Sequence, residues 1–233
     1  NGRPGMAYST VSHQYLVTWR QLNDAEIHGR LVSDTGTLIG NDIRVTTDTW
    51  GEDQPAVAYN ATTDRFLVGY QGWASNYNFD EARWVQAGVN PGIYGSPMRI
   101  WSGAVATTGI FGGDAEYNPV TGKTIYLFEV NPGRGDGSPF GIYGQRFNPD
   151  GSFDGVPFAV STGYKAYDAM ELAYNPISNT FALATHSYTI EDAVIELHQD
   201  GTPVDNGIIA TGIGGGIGNY NPGIAASQTQ AQW

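Results

Sequence analysis

Apolar and polar positions alternate along most of the chain in short runs separated by polar turns. That period-2 pattern marks β-strands with one buried face. The pattern also repeats. Aligned on an Ala-Tyr pair or its equivalent, copies of one unit begin PGMAYSTVSHQYLVTW at Pro4, PAVAYNATTDRFLVGY at Pro55, GDAEYNPVTGKTIYLF at Gly113, MELAYNPISNTFALAT at Met170 and PGIAASQTQAQW at Pro222. The markers Tyr8, Tyr59, Tyr117, Tyr174 and Ala226 are spaced 51, 58, 57 and 52 residues apart, giving four full units and a stub.

Each unit has a second half with its own echo: IHGRLVSDTGTLIG, IYGQRFNPDGSFDGVPFAVS and VIELHQDGTPVDNGIIA. Their turns, Thr35-Gly36, Asp150-Gly151 and Asp200-Gly201, place glycine where a tight hairpin needs a left-handed residue. A unit therefore predicts four antiparallel strands joined by hairpins. In the second unit these fall at about Ala56 to Asn60, Phe66 to Gln71, Gly92 to Met98 and Ala104 to Thr108. No stretch carries a capped helical period; NFDEARWVQAGV, from Asn78, is the nearest, and reads as a turn or two in a loop.

Four-stranded units of this length without helices predict an all-β fold, a β-propeller with four blades and a partial fifth repeat, four- or five-bladed when closed. The whole chain, 1–233, reads as one domain, with repeats at about 4–53, 54–111, 112–168 and 169–220 and a stub at 221–233. Tyr59, Phe66 and Val68, with their counterparts, are expected in the core.

At VAYNATTDRFLVGY and at IYGQRFNPDG (Ile142 to Gly151) the chain resembles a broad class of large secreted or surface-attached bacterial repeat proteins. The resemblance covers nearly the whole chain and implies propeller-like extracellular modules with no shared catalytic residue. It places the protein outside the cell or at its surface. The second unit departs most, with IYGSPMRIW where a Gly-Gln-Arg strand is expected.

Composition narrows the function classes. With 32 glycines and 12 prolines among 233 residues the chain suits many tight turns. Eleven basic residues stand against 23 acidic ones, singly scattered, so a nucleic-acid partner is excluded for want of a positive surface. No apolar run approaches the roughly 20 residues of a membrane-spanning helix, and no membrane insertion is expected. Cysteine is absent, which removes disulfides and thiol chemistry.

The candidate chemistry is acidic and aromatic. Asp53, Asp114 and Asp168 each lie just ahead of a unit's first strand, with Glu52, Glu116 and Glu171 close by. Gathered round a channel, they would form a carboxylate ring able to hold a cation such as Ca²⁺ or to work as an acid and base pair on a glycoside. The same positions equally suit side chains that satisfy turn N–H groups. No other cofactor and no metal site are expected: His13, His28, His186 and His198 lie apart, without ligand spacing. The stretch from Gly72, GWASNYNFDEARWVQAGVN, reads as a long loop carrying Trp73, Tyr77, Phe79 and Trp84, a surface suited to a sugar or a protein partner. Gly-rich TGIGGGIGN lacks the Lys-Ser/Thr of a phosphate loop, and Arg134-Gly135-Asp136 is a chance-level adhesion tripeptide.

The stub repeats a first strand without a blade, as a segment of a longer array, an incomplete fifth blade or a strand added to a neighbouring copy would. The leading expectation is a non-enzymatic extracellular binding, adhesion or assembly module recognising a glycan or protein through its loops. A carbohydrate-active enzyme with carboxylates at the channel mouth is the first alternative, and a subunit that self-associates through its C-terminal strand the second.

Overall fold

The computed structural model describes residues 3–74, 77–104, 113–130, 141–162, 166–187, 191–211 and 223–233; the side chains of 104, 166–169, 186–187, 191–192 and 205–211 lie outside that description. Sixteen strands form four sheets of four, and no helix occurs among the described residues. The first sheet contains β1 (Gly5–Ser9), β2 (Gln14–Gln21), β3 (Glu26–Ser33) and β4 (Leu38–Arg44); the second β5 (Gly51–Asn60), β6 (Arg65–Trp73), β7 (Tyr77–Gln86) and β8 (Gly92–Ala104). The third contains β9 (Asp114–Asn118), β10 (Lys123–Val130), β11 (Gly141–Phe147) and β12 (Phe158–Thr162); the fourth β13 (Ala166–Asn175), β14 (Thr180–Ser187), β15 (Glu191–Leu197) and β16 (Pro203–Thr211). Each is an antiparallel meander in chain order. The first strands β1, β5, β9 and β13 pack side by side, so the sheets are blades of a β-propeller.

The repeated unit around the marker tyrosine is the hairpin between the first two strands of each blade. Five residues after each marker tyrosine the backbone turns left-handed, at His13, Asp64, Gly122 and Asn179, with φ of 54°, 50°, 69° and 54°. Asp and Asn adopt that conformation at low cost and Gly at none. Tyr59 and Tyr174 donate to the side chains at that position, to Asp64 Oδ1 at 2.9 Å and Asn179 Oδ1 at 2.8 Å. Gly122 offers no side chain, and the Tyr117 hydroxyl lies instead 3.0 Å from Thr62 Oγ1 of the preceding blade.

The residue after the tyrosine works in two directions. Asn60, Asn118 and Asn175 each accept, through Oδ1, the N–H two residues on at 2.9 Å, closing the turn. Their Nδ2 groups reach forward: Asn60 to Pro149 O at 3.4 Å, and Asn118 to Gln199 O at 3.2 Å, in the next blade's outer turn. One residue type thus shapes a hairpin and clasps two blades. The outer turns follow the expected chemistry, with Gly36, Gly151 and Gly201 at φ of 84°, 94° and 82°.

The core lies between blades. Leu16, Leu31, Val57, Phe66 and Val68 pack blade one on blade two; Leu67, Trp84, Tyr126 and Phe147 join two to three; Leu127, Phe181 and Leu183 join three to four. Tyr59, Phe66 and Val68 are buried as expected.

Two expectations need correcting. The stretch after Gly72 is mainly strand β7 rather than a long loop, and the last two strands of blade two lie at Tyr77–Gln86 and Gly92–Ala104. Two charged residues of the stretch, Asp80 and Glu81, are buried and bonded inside the structure. Residues 105–108 of the expected last strand, with Arg134-Gly135-Asp136 and most of TGIGGGIGN, lie outside the described residues. The second correction is the C-terminal stub: residues 223–233 form bends, not a strand. Ser227 Oγ accepts from Thr229 N at 3.3 Å and Gln230 N at 3.1 Å, so the turn of the repeat survives without its sheet. Asn175 Nδ2 donates to Gln230 O at 3.1 Å and Gln232 O at 2.9 Å, putting the stub where the other asparagines meet a following blade. No helix among the described residues is long and apolar enough to cross a membrane.

Candidate active site at the central cavity

A cavity of about 160 Å³ is lined by residues at the four inner strands. Counted from the marker tyrosine, one position lines it in every blade: three residues earlier stand Gly5, Ala56, Asp114 and Glu171. At that position blades one and two thus present minimal side chains and blades three and four carboxyls, beside the larger Arg3, Met6, Gln54, Val57 and Met170 of the lining. Gly5 is required for the approach of β1 to β5, since a Cβ there would lie 2.6 Å from Pro55 O. Arg3, just ahead of β1, spans the gap between blades one and four, with Nη2 2.8 Å from Glu171 Oε2 and Nη1 3.4 Å from Met170 O.

Asp114 is held from two sides. Oδ1 accepts from Ala115 N at 2.9 Å, and Oδ2 accepts from Leu172 N of the next blade at 2.7 Å. Glu116, two residues on and on the same face of β9, accepts in the same way from the backbone of Tyr174. The two acids thereby satisfy N–H groups of β13 that its own ladder leaves over. Burial pushes the Asp114 carboxyl up to about 7, aided by the Glu171 charge and opposed by the two N–H donors and Arg3. Burial first, and then the Asp114 charge, pushes Glu116 up to about 8.

The remaining expected site residues go elsewhere. Asp53 turns to blade one, with Oδ2 3.4 Å from Arg20 Nη1. The cause is local: Gln54 is left-handed, at φ 51°, and the pairing of β5 with β6 shifts register between Asp53 and Ala56. Asp168 lies on β13, but its side chain is outside the described residues, as is that of His186.

The four aromatics do not form a shared platform. Phe79 and Trp84 are core residues, 0% and 4% exposed. Trp84 Nε1 donates to Gly151 O of blade three at 3.0 Å, and its ring meets Phe147 edge-on. Tyr77 and Phe79 carry the Arg99 guanidinium, whose Nε lies 2.7 Å from Glu81 Oε1. Trp73 stays at the rim, 40% exposed, under Arg20.

Arg3 was not anticipated beside the cavity; Glu171 was grouped with Asp114 only by nearness to a strand start, whereas counting back from the tyrosine puts both acids on its wall. A buried carboxyl network also went unseen: Tyr70 donates to Glu81 Oε2 at 3.0 Å, and Tyr126 to Asp80 Oδ1 at 3.4 Å across the blade junction. Burial raises the Asp80 carboxyl well above the usual carboxylate range.

No protein-family model matches the chain, and no curated protein matches it either. Solved structures do. A Hadza microbial sialidase superposes with a TM-score of 0.61 at 12% identity, over 88% of this chain and 46% of its own. A GH43 β-1,3-galactosidase gives 0.52 at 11% identity, over 86% and 74%. An exo-β-1,3-galactanase from Phanerochaete chrysosporium gives 0.51 at 9%, over 83% and 46%. The chain spans about half the length of the sialidase and of the galactanase. The likeness establishes the propeller fold. It also corrects the expectation of a non-enzymatic binding, adhesion or assembly module, because these neighbours are carbohydrate-active enzymes and the alternative of that class accords with them.

Proposed function

We propose that the chain is a carbohydrate-active enzyme of the glycoside hydrolase type, with Asp114 and Glu171 as its reacting pair. The observation that carries this reading is the asymmetry of the cavity. A structural acid would recur in all four blades, yet the lining position is acidic in two adjacent blades and Gly or Ala in the opposite two. The acids supply chemistry on one wall, and the small residues leave room for a sugar on the other.

The roles follow from the environments. Glycoside cleavage needs one carboxyl that donates a proton to the leaving oxygen and one carboxylate that acts as base or nucleophile. Asp114, raised to about 7, keeps its proton through the mildly acidic range and is the acid. Glu171, ion-paired with Arg3, is the carboxylate. Arg3 also presents N–H donors beside the cavity, suited to a sugar hydroxyl. A volume of about 160 Å³ fits a terminal residue better than a chain threaded through, so the action proposed is at chain ends. An acidic wall disfavours anionic sugars and points to a neutral one.

The test is product release from a panel of neutral oligosaccharides by the wild type, Asp114→Asn and Glu171→Gln. Turnover by the wild type and a fall of about 10²-fold or more in each variant are expected. Equal rates in wild type and variants would remove the assignment.

A further inference from the structure

Away from the cavity, three carboxyls converge where blade one hands over to blade two. Glu26 opens β3, Asp48 lies in the connection from β4 to β5, and Glu52 is near the start of β5. One carboxylate oxygen from each lies within 4.8 Å of the others. Glu26 and Glu52 are 1% and 0% exposed, whereas Asp48 is exposed.

Two observations separate this trio from a chance grouping of acids. Glu26 Oε2 and Glu52 Oε1 are fully buried, and no hydrogen-bond donor reaches either. A buried carboxylate oxygen without a donor carries a desolvation cost that folded proteins rarely leave uncompensated. The other two oxygens are already engaged: Arg44 Nη2 lies 3.3 Å from Glu26 Oε1, and Thr46 Oγ1 donates to Glu52 Oε2 at 3.0 Å. Arg44 offsets one charge of three. The frame is fixed independently, since Glu52 N donates to Ala25 O at 2.9 Å and Trp50 N donates to Asp48 Oδ1 at 2.8 Å.

We propose that Glu26, Asp48 and Glu52 form a divalent cation site, and that the cation is Ca²⁺. The donor set is oxygen only, with no His or Cys, which selects hard cations. Carboxylates that can bind through one or both oxygens, at a site open to water on the Asp48 side, match the higher and more flexible coordination of Ca²⁺ better than the strict octahedron of Mg²⁺. The cation's ligands come from blade one, from the connection and from blade two, so it staples the first blade junction. The site shares no residue with the cavity and does not rest on the enzymatic reading.

Trp50 makes the test direct, because its backbone already touches Asp48 and its indole can sensitise a lanthanide bound there. Tb³⁺ is titrated into the chelator-stripped chain with excitation at tryptophan, then displaced with Ca²⁺; melting is followed in Ca²⁺ and in EDTA. One saturable equivalent, displaced by Ca²⁺, and a melting temperature higher in Ca²⁺ are expected. Asp48→Asn, which can keep the bond from Trp50 N, should weaken binding at least tenfold while melting in EDTA like the wild type; Glu52→Gln should do the same. Absence of saturable emission, no melting shift in millimolar Ca²⁺, or unchanged affinity in Asp48→Asn would overturn the site. An equal response to Mg²⁺ would overturn its assignment to Ca²⁺.

Discussion

Arg3 Nη2 lies 2.8 Å from Glu171 Oε2, linking the first described residue of the chain to the inner strand of the last blade, 168 positions away. Both side chains are more than a third exposed, 43% for the arginine being the larger, so solvent screens the pair. Arg3→Ala should therefore cost no more than about 1 kcal/mol in a urea melt. On the proposed site it should lower turnover much more, because Glu171 loses its partner. A large loss of stability with unchanged turnover would make Arg3 a structural clamp alone.

The raised acids set a pH dependence of stability with a definite sign. Asp114 rises from 3.8 to about 7 and Glu116 from 4.5 to about 8. Between about pH 4 and pH 8 the folded chain therefore binds more protons than the unfolded one, and stability falls as pH rises. Chemical melts across that range should show the decline, and Asp114→Asn should flatten its lower part. A rise in stability between pH 4 and pH 7 would contradict the raised Asp114 carboxyl.

Asp64 collects three hydroxyls: Ser9 Oγ at 2.8 Å, Ser12 Oγ at 2.5 Å and Tyr59 at 2.9 Å. It also holds the left-handed position of its turn, at φ 50°. Asp64→Ala removes the shared acceptor and the short polar side chain that makes the left-handed backbone tolerable, for a combined cost of about 2–4 kcal/mol. Asp64→Asn, which tolerates the backbone and keeps one acceptor, should cost clearly less. Equal losses in urea melts of the two variants would show that the hydroxyl bonds carry the effect and the backbone does not.

Trp84 and Trp73 were one surface in the sequence and are two environments in the fold. Trp84→Ala empties a core site and frees Gly151 O, and should cost about 3–5 kcal/mol. Trp73→Ala, at the rim, should cost about 1 kcal/mol. Similar values for both would contradict the burial of strand β7.

What could be read in the sequence was what local chemistry specifies. The hairpins at Tyr59 and Tyr174, the turns at Gly36, Gly151 and Gly201, and the inter-blade burial of Phe66 and Val68 follow from alternation and from residues that accept a left-handed backbone. Strand β7 was hidden because its charges are satisfied by partners from other strands, such as Tyr126 for Asp80. The acidic ring was half legible. Asp114 lines the cavity, but Asp53 was grouped with it by proximity to a strand start, and the register shift after Asp53 turns that carboxyl toward Arg20. Glu171 shares the register of Asp114 relative to its tyrosine, and that count, rather than nearness, identifies the cavity wall. Arg3 could not be anticipated, because its partners are set by the closing of the blades around one cavity.

On the proposed function, Asp114 delivers a proton to a glycosidic oxygen at the cavity. The most direct measurement is the pH dependence of kcat/KM on the best neutral oligosaccharide, for wild type and Asp114→Asn. The wild-type rate should fall above about pH 7, following the raised Asp114 carboxyl. In Asp114→Asn that limb should vanish and the rate should fall by about 10²-fold or more. No turnover by the wild type, or an alkaline limb that persists in Asp114→Asn, would contradict it.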